Sequence, residues 1–166
     1  MWQCHVIVGD LDIDKGLFGY KHMVHASPHS HAGLGKILIV EDNPSCFRFA
    51  ADLLRYHGHT IYHSATGQDI YDIIRQYRPD LILMDIQLPE VLGTELIRWI
   101  KAKDEIRLIP IVATTACAMR GDEERIRESG CDEYLAKPID LHVLLAVVNR
   151  LLATRSTNGG NHGQAT

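Results

Sequence analysis

A short apolar segment in the middle of the chain constrains its fold more than any other feature. Leu81 to Met84 form an unbroken apolar run with a proline on either side, which is typical of a strand buried on both faces of a parallel sheet. Asp85 follows the run directly. Open α/β sheets bind ligands in the crevice beyond the carboxyl ends of their strands. Asp85 is therefore either a functional carboxylate or simply the first residue of a turn.

Similar apolar runs alternate with segments of helical periodicity along the chain. We expect strands at Lys36–Val40, Thr60–His63, Asp80–Asp85, Ile109–Thr115 and Asp132–Ala136. Apolar spacing predicts helices from Pro44 to Gly58, then at Ile70–Tyr77, Thr94–Lys103 and Ala116–Ser129, and a last helix capped by Asp140. Alternating strands and helices imply a parallel sheet with right-handed crossovers and helices on both faces. The expected fold class is α/β, in a doubly wound domain.

The length of 166 residues and the apolar content of 46% suit one domain with tails. Residues 1–35 carry five of the ten histidines and five of the thirteen glycines, and we expect a flexible extension there. Their histidine cluster could bind a transition metal, but no cysteine or carboxylate is interleaved with it. Residues 154–166 are polar and rich in Gly and Asn, which predicts a disordered tail. The domain is thus expected at 36–153.

Charge and composition argue against several classes of protein. A net charge of −4 and a pI near 6.2 provide no basic field for nucleic acid or an anionic membrane. No apolar run approaches the roughly 20 residues of a membrane helix, and the first 31 residues lack the pattern of a secretory signal. The four cysteines form no C-x-x-C pair. We expect a cytoplasmic protein with free thiols, without nucleic-acid binding or membrane insertion.

Polar residues follow the predicted strands where a parallel sheet brings the strand ends together. They are Glu41 and Asp42, Asp85, Thr115 and Lys137. Clustered carboxylates repel one another and favour a bound cation, and oxygen ligands with few protein donors suit Mg²⁺ completed by a phosphate. One carboxylate could then attack a phosphoryl group, with the ammonium and the hydroxyl stabilising its charge. Each residue also has an ordinary interpretation as a loop cap, a surface charge or a strand residue.

The motifs Glu41-Asp42, Leu83-Met84-Asp85-Ile86-Gln87-Leu88-Pro89, Gly93, Thr115-Ala116 and Lys137-Pro138 stand together in this sequence. In combination they resemble the receiver domain of two-component response regulators, over about Lys36 to Ala153. Gly121–Glu128 and Asp85–Val91 further resemble single-domain cell-cycle regulators of that family. The resemblance implies a (βα)5 flavodoxin-like, CheY-like fold with a five-stranded parallel sheet of order 2-1-3-4-5.

The resemblance also implies roles for individual residues. Asp85 would accept a phosphoryl group from a sensor histidine kinase or a histidine phosphotransferase. Asp42, Asp85 and the backbone carbonyl of Gln87 would bind Mg²⁺, with Glu41 acting through water. Lys137 would contact the phosphate, and the peptide bond that follows it is often cis in this family. The protein would assist its own phosphorylation and dephosphorylation without turning over external substrates.

Thr115 and Tyr134 would form the switch pair that responds to the new charge on the phosphorylated domain. The expected output is docking on a downstream protein through exposed apolar residues of the switching face, such as Met119 and Ile126.

Two other functions remain open from the sequence. A pseudo-receiver would bind partners without phosphorylation, although the four polar strand-end positions are intact. A phosphoaspartyl hydrolase also uses a strand-end Asp, but its usual acid/base Asp two residues later is replaced by Gln87. A flavin-binding module shares the fold class, but no Ser/Thr/Gly-rich phosphate loop follows Val40.

Overall fold

The computed structural model describes residues 34–116 and 122–158. Strands and helices alternate along these residues. The strands are β1 (Lys36–Val40), β2 (Thr60–Ser64), β3 (Leu81–Asp85), β4 (Ile111–Thr115) and β5 (Glu133–Ala136). The helices are α1 (Pro44–Tyr56), α2 (Ile70–Tyr77), α3 (Gly93–Lys101), α4 (Asp122–Glu128) and α5 (Leu141–Asn158).

The five strands form one parallel sheet in the order β2-β1-β3-β4-β5, which confirms the predicted fold class and strand order. β1 lies between β2 and β3. The connection that leaves β1 leads to the strand on one side of it, and the connection that leaves β2 leads to the strand on its other side. Such a reversal opens a crevice beyond the carboxyl ends of the strands on either side of it. Val40 is paired with Met84, so β1 and β3 end close together at that crevice.

The buried strand β3 explains why its sequence is apolar without alternation. Leu81 and Leu83 pack in the core that the sheet forms with α1 and α5. Ile82 and Met84 pack in the opposite core, against α2, α3 and α4. Because successive side chains of a strand point to opposite faces, a sheet covered on both faces requires apolar residues at every position of its central strand.

Several boundaries differ from the expectation by a few residues. β4 begins at Ile111, not Ile109, although the carbonyl of Pro110 still accepts a hydrogen bond from the Ile82 amide at 2.9 Å. The expected disordered tail from Thr154 is wrong for its first residues, because α5 continues to Asn158. No helix in the described part of the chain is both long and apolar enough to cross a membrane.

Two expectations fall partly outside the described residues. The structure describes α4 from Asp122, whereas residues 117–121 of the predicted helix, which include Met119, lie outside it. Residues 1–33, with the histidine cluster, and residues 159–166 also lie outside it. Asp140 caps α5 as predicted, because its Oδ1 accepts hydrogen bonds from the amides of His142 and Val143 at 2.8 and 3.1 Å.

The expectation that Ile126 is an exposed docking residue is wrong. Its side chain is 3% exposed and packs in the core beneath α4. Within Asp122–Glu128 it is the one apolar residue, so it is the residue that attaches this short helix to the sheet. The exposed side chains of α4 are charged instead, as at Glu123 and Arg127.

His59 is buried at the amino end of β2, far from the crevice. Its side chain is 6% exposed, and its Nδ1 accepts a hydrogen bond from the amide of Gly35 at 3.2 Å. Burial lowers the pKa of His59 below its ordinary value, and the neighbouring charge of His57 lowers it further. The folded protein therefore favours the neutral ring, which can accept this bond.

This burial predicts that the protein loses stability in mild acid. Below the ordinary His pKa of 6.5, the unfolded chain takes up a proton that folded His59 resists, so the free energy of unfolding should decrease as the pH falls toward the lowered pKa. Urea unfolding at pH 8, 6.5 and 5 measures this, and His59→Asn, which keeps an acceptor, should flatten the dependence. The exposed His142→Asn is the control. Equal pH dependence in wild type and His59→Asn would contradict the assignment.

Candidate functional site

The end of β1 carries two of the predicted acidic residues into the crevice. Glu41 and Asp42 follow Val40, and Asn43 begins the turn into α1. The Asn43 side-chain oxygen accepts hydrogen bonds from the amides of Ser45 and Cys46 at 2.9 and 3.1 Å, which caps the helix. The Asn43 amide donates to Glu41 Oε1 at 3.2 Å. The loop is thus fixed by its own short polar side chains.

Three carboxylates meet at this end of the sheet, as predicted. Glu41, Asp42 and Asp85 each offer an oxygen, and these oxygens all lie within 4.8 Å of one another. Glu41 and Asp85 are each 5% exposed, whereas Asp42 is open to solvent. The cluster therefore has two acids at its base and one at its entrance.

Lys137 reaches into the cluster from the loop that follows β5. Its Nζ donates to Glu41 Oε2 at 2.6 Å and to Asp85 Oδ2 at 2.7 Å. Its backbone amide donates to the Thr115 carbonyl at 2.7 Å, and the Lys137-Pro138 bond is cis, as the resemblance implied. One residue thereby joins the ends of β1, β3 and β4.

The electrostatics of the cluster leave room for a further cation. Burial raises the pKa of Glu41 and the charge of Asp85 adds to this, although the Lys137 ammonium acts in the opposite direction. Burial alone would lower the pKa of Lys137, but its hydrogen bonds to Asp85 and Glu41 outweigh burial and raise it. Lys137 therefore stays protonated. With all three carboxylates ionised, one ammonium leaves an excess of negative charge at the site.

The donor set fits Mg²⁺. Every candidate ligand is an oxygen, and the spread of the three carboxylates matches an ion that binds one or two of them directly and keeps several waters. Asp42, Asp85 and Glu41 are the residues that would hold it. Gln87 lies beside them, and its backbone amide donates to Asp85 Oδ1 at 2.9 Å. A metal-binding role for the backbone carbonyl of Gln87 remains a prediction.

The loop after β3 fixes Asp85 through backbone contacts. Gly93 donates its amide to the Ile86 carbonyl at 3.0 Å, and Gln87 and Leu92 form a β-bridge. A Cβ on Gly93 would lie 2.2 Å from the Asp85 carbonyl oxygen, so only glycine allows this approach. The Asp85 carboxylate is thus oriented at both oxygens, by the Gln87 amide and the Lys137 ammonium.

The predicted switch residues lie on neighbouring strands. Thr115 ends β4 and is buried, while Tyr134 of β5 is half-buried and pairs with Ala113. Ala113 and Tyr134 pack in the same core, on the α4 side of the sheet, and Thr115, two residues after Ala113, shares that face. The Arg127 guanidinium lies over the Tyr134 ring at 5.0 Å, so the ring is held against α4.

His63 was not among the residues expected at the site. Its Nε2 lies 3.0 Å from the Glu41 carbonyl oxygen, and its ring stacks on Phe47 with centroids 3.7 Å apart. No motif pointed to it, because a polar residue at the end of a strand is common and its contact is with the backbone. What brings His63 to the site is the register of the sheet, in which it pairs with Ile39 near the end of β1. That register is known only from the folded structure.

Sequence comparison connects this site with known proteins. The profile of the response regulator receiver domain matches residues 37–149. The polar-differentiation response regulator DivK of Brucella anthropi is 46% identical over 116 residues, which cover 70% of this chain and 94% of that protein.

Structural comparison gives the same family. The receiver domain of a sensor histidine kinase from Pseudomonas aeruginosa PAO1, with a magnesium ion coordinated in its active site cleft, superposes with a TM-score of 0.66 at 35% identity, covering 72% of this chain and 98% of that one. The chemotaxis response regulator CheY4 of Vibrio cholerae has the same fold, with a TM-score of 0.66 at 22% identity over 72% of this chain and 99% of that one.

Proposed function

The chain belongs to the response regulator receiver domain family, and on this premise we propose that Asp85 accepts a phosphoryl group from a phosphohistidine. The observation that carries the proposal is the arrangement around Asp85. Its buried carboxylate contacts the Lys137 ammonium and lies beside Glu41 and Asp42, at the end of a central strand. This set can hold a nucleophile, a divalent cation and a compensating charge together.

The proposed transfer uses the groups already in place. A carboxylate oxygen of Asp85 forms a bond to phosphorus as the P–N bond of the donor breaks, and the electron pair returns to the imidazole nitrogen, which takes a proton from solvent. The Lys137 ammonium would balance the negative charge that the phosphoryl group adds to Asp85. The Thr115 hydroxyl would donate a hydrogen bond to a phosphoryl oxygen. Mg²⁺, when bound, neutralises charge on the transferred group. Catalysis consists of positioning and charge stabilisation.

We propose that phosphorylation changes a docking face rather than an enzymatic activity. New acceptor oxygens on Asp85 would draw Thr115 toward the site, and Tyr134 would move into the space that this leaves. The position of both residues on one face of β4 and β5 supports this coupling. The face formed by α4, β5 and α5 would then contact a downstream protein.

The proposed partners follow from this chemistry. A sensor histidine kinase or a histidine phosphotransferase supplies the phosphoryl group in the cytoplasm, and a downstream protein recognises the switched face. The similarity to DivK across 94% of that protein supports a role as a single-domain regulator.

Replacing Asp85 by Asn should abolish phosphorylation. Wild-type protein incubated with Mg²⁺ and acetyl phosphate, or with a phosphorylated histidine kinase, is expected to gain one phosphoryl group by mass, and chelation of Mg²⁺ should prevent this. Asp85→Asn preserves shape but removes the nucleophile, so no label is expected.

Asp80→Asn is a matched control, because Asp80 precedes β3 at the opposite end of the same strand and its carboxylate accepts a hydrogen bond from the Lys36 amide. It should be labelled like wild type. Absence of label in wild type, under conditions that label another receiver domain, would favour phosphorylation-independent docking. Equal label in Asp85→Asn would place the acceptor elsewhere.

A further inference from the structure

We propose that His63 is a positioning residue for the acidic site, acting through the backbone of Glu41. The inference rests on the proposed function, because it concerns the residues that would hold Mg²⁺. His63 touches neither the metal nor the phosphoryl group. It would set the affinity of the site for the metal by fixing the peptide that joins Glu41 to Asp42.

The contact defines which nitrogen of His63 carries a proton. The Glu41 carbonyl oxygen can only accept, and Nε2 lies 3.0 Å from it, so Nε2 is the donor. The Glu41 amide in turn donates to the Ser64 carbonyl at 3.1 Å. β2 therefore holds Glu41 on both sides, with a backbone bond at its nitrogen and a side-chain bond at its carbonyl.

Fixing this carbonyl fixes the next residue as well. The peptide group is planar, so a hydrogen bond at the Glu41 oxygen also sets the orientation of the Asp42 nitrogen and Cα. Asp42 is exposed, and its side chain is not enclosed by the core as Glu41 and Asp85 are. The backbone is therefore the main route by which the fold can place the Asp42 carboxylate near the other two.

The ring of His63 is itself held in place. It stacks on Phe47 at a centroid distance of 3.7 Å and an interplanar angle of 20°. Phe47 lies in the first turn of α1, and its amide donates to the Asn43 carbonyl at 2.9 Å. We call residues 41–43, which connect β1 to α1, the acidic loop. His63 thus connects the end of β2 to both ends of this loop, at the Glu41 carbonyl and at the start of α1.

Three variants separate the N–H donor from the ring. His63→Gln can place an amide N–H near the position of Nε2 but removes the ring. His63→Phe keeps an aromatic ring for the stack but has no donor, and His63→Met has neither. His57→Phe is a matched control, because His57 is also exposed, contacts an aromatic ring (Tyr56) and has its Nδ1 3.0 Å from a carbonyl, that of Leu53 at the other end of α1.

The first measurement is Mg²⁺ binding to the full chain by calorimetry. We expect His63→Phe and His63→Met to raise the dissociation constant for Mg²⁺ about three- to tenfold. Losing a residue that orients a metal ligand typically weakens metal affinity by about tenfold or more, and the effect here should not exceed the low end of that range. His63→Gln and His57→Phe should stay within about twofold of wild type, since the first keeps a donor near the Glu41 carbonyl and the second changes only a distant contact. Nitrogen chemical shifts of His63 at pH 8 should show the proton on Nε2.

The second measurement is the rate of labelling by acetyl phosphate. His63→Phe should be labelled slowly at low Mg²⁺. It should be labelled at the wild-type rate at saturating Mg²⁺, because only its affinity for the metal has changed. Wild-type affinity in His63→Phe and His63→Met would overturn the inference, and so would a His63→Gln variant as weak as His63→Phe. If wild type binds Mg²⁺ but takes no label, the proposed function fails while the ranking of affinities still tests the role of His63.

Discussion

Replacing Lys137 by methionine should destabilise the protein by about 3 kcal/mol when no divalent cation is present. The Lys137 ammonium contacts Glu41 and Asp85 at 2.6 and 2.7 Å, and all three side chains are largely buried. Removing one partner of a buried ion pair leaves charge without compensation, which typically costs about 3–5 kcal/mol. Here the lower end applies, because Asp42 opens the cluster to water.

The same variant should respond to Mg²⁺ and to pH more strongly than wild type. A bound cation would replace the missing charge, so Mg²⁺ should restore a large part of the lost free energy of unfolding. The pKa of Glu41 is already raised by burial, and loss of Lys137 should raise it further. Because the folded state then binds a proton more readily than the unfolded state, the stability lost by Lys137→Met relative to wild type should shrink as the pH falls toward 5.

Urea unfolding with EDTA and with MgCl₂ measures these effects. Lys101→Met is a matched control, since Lys101 also bonds a carboxylate, that of Asp132 at 2.7 Å, but lies away from the crevice. It should lower stability by an amount that Mg²⁺ does not change. If Mg²⁺ stabilises Lys137→Met no more than it stabilises wild type, a bound cation does not replace the charge of Lys137.

Replacing Gly93 by alanine should cost about 1–3 kcal/mol of stability, as overpacking in a tight site does, and should also weaken Mg²⁺ binding. The new Cβ would lie 2.2 Å from the Asp85 carbonyl oxygen and 2.7 Å from the Ile86 Cα. Both atoms belong to the backbone, so no side chain can move aside to relieve the clash. The loop carrying Asp85 and Gln87 must shift instead.

Gly130→Ala separates the two effects. Gly130 has a φ of +91°, which disfavours alanine, but its Cβ would meet only the Lys101 side chain at 3.4 Å. This variant should lose stability and keep its Mg²⁺ affinity, because Gly130 follows α4 and has no contact with the acidic loop. Thermal unfolding and Mg²⁺ calorimetry on both variants test the distinction. Unchanged affinity in Gly93→Ala would show that the loop absorbs the clash without moving Asp85.

The sheet and the main residues of the site were predictable because they depend on local patterns. The apolar run before Asp85 requires a strand covered on both faces, and parallel pairing then brings every strand end to one edge. Residue types that follow those strands are read directly from the sequence. With the strand order that the family resemblance implied, Glu41, Asp42, Asp85 and Lys137 are expected at one end of the sheet.

Other features depended on packing that periodicity does not specify. Ile126 was expected on the surface, but a helix of seven residues with one apolar side chain must bury that side chain. The continuation of α5 to Asn158 through polar residues reflects helix extension from a packed core, not composition. His63 acts on a backbone carbonyl across a strand pair, and such a contact leaves no trace in residue spacing.

The contacts of Lys137 with Glu41 and Asp85 also bear on when the acidic site can form during synthesis of the chain. Lys137 is 96 residues from Glu41 and 52 from Asp85, so during synthesis the acids leave the ribosome long before their counter-charge. Contacts between such distant residues form late, because loop closure must come first. A nascent chain that stops before Lys137 would hold its acids without their ammonium, and maturation of the site would be tied to completion of the sheet.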